Sequence, residues 1–121
     1  MIRRFLLVAA VAGSALVVTS QIGAMSAPKL TGTVGPGFTI SLKDSTGKKV
    51  TKLKAGKYTF AITDKSSIHN FELKKGKFKK VFTSVGFQGK AKNVTLTLGK
   101  GKWTFYCRPH EDSMVGTFTV T

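Results

Sequence analysis

This 121-residue chain has one cysteine, two histidines and only five acidic residues. A single thiol cannot form an internal disulfide, which excludes the small scaffolds stapled by several bridges. With so few carboxylates, no acid–base pair of the kind hydrolases use is visible. Helical periodicity is nearly absent, which argues against a bundle or an α/β fold. What the chain has in excess is positive charge: 20 Lys and Arg give a formal +15.

The one long apolar run lies at the start. Arg3 and Arg4 precede residues 5–18, which are followed by small and polar residues through Ala27. A charged start, an apolar core and a small-residue exit describe a secretory signal peptide over residues 1–27, with cleavage expected after Ala24. The rival reading is an uncleaved anchor, since residues 5–27 carry no charge and are long enough to span a bilayer. Arg3-Arg4 hints at twin-arginine export within a poor surrounding pattern. Removing both arginines leaves 18 basic against five acidic residues, a formal +13. Residues 28–121 form one domain, with a periplasmic or extracellular location expected.

That domain alternates. Phe38, Ile40 and Leu42 interleave with Thr39, Ser41 and Lys43, and Tyr58, Phe60 and Ile62 with Thr59, Ala61 and Thr63. Further runs cover 68–73, 78–85, 94–98, 103–107 and 115–120, with a possible first strand within 28–36. Turn signals such as "DSTGKK", "KKGK" and "LGKGK" separate them. The pattern predicts an all-β sandwich or barrel of seven or so strands.

The lysines fall at turns or on the polar phase of strands, where they also guard strand edges with charge. The densest cluster, Lys74, Lys75, Lys77, Lys79 and Lys80, offers a docking face for an acidic partner or an anionic surface. Nucleic acid is not expected, because no exposed aromatic platform is identifiable among the lysines.

The chain's softest groups converge on one stretch, "TFYCRPHEDSMVGTFTV". Taken alone, Cys107 is either inert and buried, paired with another molecule, or a ligand. Alternation puts Trp103, Phe105 and Cys107 on one face, and Pro109 ends regular pairing. The loop that follows can aim Cys107, His110 and Met114 at one point. The second histidine, His69, stands in "SSIHNFEL" at the start of another strand-like run. Two imidazoles, a thiolate and a weak thioether make a blue-copper set.

On "IHNF", "YCRPH" and the "M" before a closing "VGTFTV", the chain resembles the cupredoxins, the plastocyanin-like small blue copper proteins, across residues 28–121. The resemblance implies eight strands in a Greek-key sandwich and one type 1 copper ion, with His69, Cys107 and His110 as equatorial ligands and Met114 as the axial one. It implies that Asn70 braces the cysteine loop and that His110 reaches the surface as the electron port. It further implies a monomeric carrier of single electrons, not an enzyme, with redox proteins as partners. Glu111, Asp112 and Ser113 separate His110 from Met114, a spacing that varies within the family. Arg108, Glu111 and Asp112 bring charge close to the port, while residues 35–38 and 85–89 supply an apolar rim.

Three alternatives stand beside this reading. Zinc would use His69, Cys107 and His110 with Glu111 or water. A copper-delivery protein would handle Cu(I) without redox cycling. A metal-free module would use the basic face alone. Two histidines are too few for a multicopper cluster.

Overall fold

The alternating runs become strands because a period-2 pattern gives a pleated sheet one apolar face to bury. The computed structural model describes residues 12–15 and 26–121, so the expected leader lies almost wholly outside the described residues. Among the described residues no helix is long and apolar enough to cross a membrane. Ten strands follow one another: β1 (Lys29–Val34), β2 (Ile40–Lys43), β3 (Lys52–Leu53), β4 (Gly56–Asp64), β5 (Phe71–Lys75), β6 (Phe78–Thr83), β7 (Gly89–Lys90), β8 (Val94–Leu98), β9 (Gly101–Tyr106) and β10 (Val115–Val120). One 3-10 turn, Arg108–His110, lies between the last two. Eight strands have four residues or more; β3 and β7 have two each, too short to show any alternation in sequence.

They form two five-stranded sheets packed face to face, a β-sandwich. In the first, β1 lies between β2 and β4, running parallel to β4, and β7 and β8 both pair antiparallel with β4. In the second the order is β3-β10-β9-β5-β6, with only the β3/β10 pair parallel. β4 shows the pattern most clearly: Tyr58, Phe60, Ile62 and Asp64 are buried and the residues between them are not.

Between the sheets lies an aromatic core. Phe71 stacks on Phe105 with centroids 5.9 Å apart, and Trp103 stacks on Phe118 at 6.4 Å. Offset stacking of this kind adds to the burial of each ring's large apolar surface. Two glycines let the rings close up. A Cβ at Gly116 would run into the ring of Phe105, and one at Gly32 into Ile62 and Phe71.

The structure departs from simple alternation at one end of the sandwich. The run beginning at Ile68 becomes a strand only at Phe71. Residues 66–69 make a turn instead: Asp64 Oδ1 accepts from the Ser66 N–H at 3.1 Å, and the His69 N–H donates to the Ser66 carbonyl at 3.3 Å. Phe38 likewise precedes its strand rather than joining it. The Gly35 N–H donates to the Thr39 carbonyl at 2.9 Å, closing a short loop with Phe38 exposed on it.

Candidate metal centre

Three segments meet at that end. The 66–69 turn carries His69 ahead of β5, Cys107 directly follows β9, and the loop back to β10 carries His110 and Met114. Backbone bonds fold the loop tightly. The His110 and Met114 N–H groups donate to the Cys107 and His110 carbonyls at 3.1 and 2.7 Å, and the Cys107 N–H donates to the Met114 carbonyl at 3.0 Å. Pro109 sits inside the 3-10 turn, where its missing N–H costs nothing.

His69, Cys107 and Met114 are fully buried, and His110 is half-buried. The Nδ1 atoms of the two histidines face each other at 3.1 Å. Cys107 Sγ lies 3.7 Å from His69 Nδ1 and 3.6 Å from His110 Nδ1. Lone-pair donors this close repel one another unless a proton or a cation lies among them. Every separation is below twice the ordinary metal–nitrogen or metal–sulfur bond length of about 2.0–2.3 Å, so one ion can reach all three. A neutral imidazole that offers Nδ1 carries its proton on Nε2. His69 Nε2 is buried without a hydrogen-bond partner among the described residues, so nothing in the protein competes to turn the ring around.

The expected bracing residue is in contact with the cluster. The Asn70 backbone N–H points at Cys107 Sγ at 3.5 Å, and its side-chain oxygen accepts from the Arg108 N–H at 2.7 Å. Phe38, 62 % exposed, stands edge-on to His69 at 5.2 Å and to His110 at 4.9 Å between centroids. Ile68, Val85 and Phe87 are other exposed apolar side chains from neighbouring segments. The 67–86 contact, a Gly86 N–H to Ser67 carbonyl bond of 2.8 Å, ties the 85–89 loop to the His69 turn.

Glu111, the fourth donor a zinc site would take, instead forms an ion pair with Lys74. The Lys74 ammonium also lies 4.3 Å above the Tyr106 ring, and the bond to Glu111 holds it above the usual lysine range. Lys75 reaches toward the Trp103 ring at 5.7 Å. Of the basic cluster, Lys77 and Lys79 are exposed and Lys80 is half-buried, while Lys74 and Lys75 lean on aromatic rings of their own chain.

Sequence reasoning missed Glu72. It sits on the polar phase of β5, opposite Tyr106 of β9, yet is only 3 % exposed. Its Oε2 accepts from Asn70 Nδ2 at 2.8 Å and from Arg108 Nε at 2.9 Å, and Oε1 faces the Tyr106 hydroxyl at 3.4 Å. The Tyr106 phenol is pushed up, first by burial and then by the Glu72 carboxylate. A glutamate on the polar phase of a strand reads as solvent-facing, and no local pattern distinguishes this one.

A β-sandwich with two imidazole nitrogens and a thiol sulfur converging under one end defines a cupredoxin-type blue copper protein. The family model for copper binding proteins of the plastocyanin/azurin family matches residues 45–121, and the chain belongs to that family. Copper is therefore its metal, and the buried soft-donor set fits it. Among solved structures, the copper protein rusticyanin at 2.1 Å is similar with a TM-score of 0.52 and 19% identity, over 77% of this chain and 76% of that one. Reduced rusticyanin is similar with a TM-score of 0.51 and 19% identity, over 77% and 78%. At that identity the likeness bears on the fold alone. No curated protein matches the sequence.

Proposed function

We propose that the mature chain is an exported carrier of single electrons, with copper held by His69 Nδ1, Cys107 Sγ and His110 Nδ1 and with Met114 as the weak axial ligand. The observation that carries this reading is the convergence of those three atoms at 3.1–3.7 Å. When bound, copper supplies a site that alternates between Cu(I) and Cu(II). The protein's part is to hold thiolate and imidazoles in one arrangement that suits both states. The tight loop bonds and the buried strands limit how far the ligands can move, which keeps reorganisation small.

His110, half-buried, and Phe38, exposed against it, make the port through which the electron passes to a partner. The leader directs export, with cleavage after Ala24, to the periplasm or outside the cell. The chain works as a monomer on acidic redox proteins, with Lys77, Lys79 and Lys80 as the free part of the docking cluster and Lys74 and Lys75 at its margin. It is a carrier rather than an enzyme.

The test is a visible spectrum of the purified mature protein after addition of Cu(II), followed by ascorbate and reoxidation. An intense thiolate-to-copper band that bleaches and returns is the expected result. Copper that binds but is lost on each cycle would favour delivery over electron transfer, and a colourless protein that retains none would remove the metal reading.

A further inference from the structure

We propose that Glu72 is a positioning residue of the metal centre: its buried carboxylate fixes the orientation of Asn70 and, paired with Arg108, sets the local charge that the two redox states feel. The proposal rests on the copper reading for its second half, and on the protein alone for its first.

The orientation follows from donor and acceptor counting. Asn70 is fully buried and bridges two segments through its side chain. Its Nδ2 donates to Glu72 Oε2 at 2.8 Å while its Oδ1 accepts from the Arg108 N–H at 2.7 Å. A flipped amide would set oxygen against carboxylate and N–H against N–H. Glu72, an acceptor at both oxygens, therefore permits one amide orientation only. That orientation ties the backbone of Arg108, next to Cys107, to the backbone of Asn70, next to His69. The Asn70 N–H that points at Cys107 Sγ is part of the same rigid unit. A sulfur ligand's electronic character depends on such outer hydrogen bonds.

The charge follows from burial. Glu72 is 3 % exposed, whereas the Arg108 side chain that pairs with it is 62 % exposed. The negative end is inside, two residues from the bracing amide, and the positive end is in water. Water screens the guanidinium more than it screens the carboxylate, so the pair leaves a net negative field at the centre. A negative field favours the more highly charged copper state. Removing each partner should then move the potential in opposite directions, which a purely structural brace would not do.

The experiment compares wild type with Glu72→Gln, Glu72→Leu and Arg108→Gln. Glu72→Gln keeps an oxygen for Asn70 and removes the charge; the expected result is a raised reduction potential with the thiolate-to-copper band close to wild type. Arg108→Gln, at an exposed side chain, should lower the potential. Glu72→Leu should raise it and also displace the band. In the copper-free protein, amide exchange at Arg108 should be roughly tenfold faster in Glu72→Leu than in wild type, because one ordinary hydrogen bond is lost with its partner. Potentials unmoved by Glu72→Gln and Arg108→Gln, or moved in the same direction, would overturn the charge role. An unchanged Arg108 exchange rate in Glu72→Leu would overturn the positioning role. If the wild type takes up no copper, the electron-carrier reading and the charge role fall together, while the exchange comparison still decides the brace.

Discussion

At the scale of single residues, the centre depends on which atoms carry usable lone pairs. Cys107 supplies the thiolate, so Cys107→Ser is expected to abolish the blue absorption of the copper-loaded protein. Met114→Leu is expected to keep the blue band and raise the potential, because loss of a weak electron donor disfavours Cu(II). A Met114→Leu protein with the wild-type potential would show that Met114 is not the axial ligand. Tyr106 gives a separate readout. Burial and the Glu72 carboxylate push its phenol up, so the folded state holds that proton more tightly than the unfolded chain does. Its contribution to stability is full below the ordinary phenol range and is lost as pH rises through the higher folded value. Ultraviolet titration should find Tyr106 ionising above the ordinary phenol range, and Tyr106→Phe should remove that late step.

At the scale of elements, the site end is positioned by strands that end early and by close packing behind them. β9 brings Trp103 and Phe105 into the core in phase with Cys107, so the ligand inherits its direction from the strand. β10 backs this arrangement through Gly116, whose missing side chain leaves room for the Phe105 ring. Gly116→Ala forces a Cβ into a buried aromatic ring and is expected to destabilise the fold by about 1–3 kcal/mol. Gly99→Ala, where a Cβ meets open space, is the control and should denature like wild type. Equal denaturation midpoints for the two variants would mean that the β9/β10 face is looser than its geometry implies. The turn at 66–69 and the loop at 35–39 were not legible as such. Phe38 and Ile68 share the alternation of the strands that follow them, but local hydrogen bonds to Thr39 and Ser66 withdraw the backbone from pairing.

For the whole molecule, charge matters more than shape. With the leader cleaved as proposed, a formal +13 remains, and it would attract acidic partners from a distance and accelerate encounter. Screening acts over about 8 Å at physiological ionic strength, so electron transfer to an acidic partner is expected to slow as salt is added. Stopped-flow rates indifferent to ionic strength would sink electrostatic steering. Part of the positive surface is already answered internally, since Lys74 pairs with Glu111 and Arg108 with Glu72. The salt dependence should therefore respond more to Lys77→Ala and Lys79→Ala than to Lys74→Ala.

Alternation alone was enough to determine an all-β sandwich or barrel here, and the pairing in two sheets decided for the sandwich. A side chain's face follows from its parity in the strand, and Tyr58, Phe60, Ile62, Trp103, Phe105, Phe118 and Val120 are buried as their parity requires. The ligand types were legible too, because the chain has only one cysteine and two histidines to distribute. Tertiary structure decided what parity and composition cannot carry. It brought His69 Nδ1 to 3.1 Å from His110 Nδ1 across 41 residues of chain, and it turned Glu111 toward Lys74. It also buried Glu72 on the polar face of its sheet, because Asn70 from its own stretch and Tyr106 and Arg108 from the distant 106–108 stretch together satisfy a carboxylate that no one of them could hold.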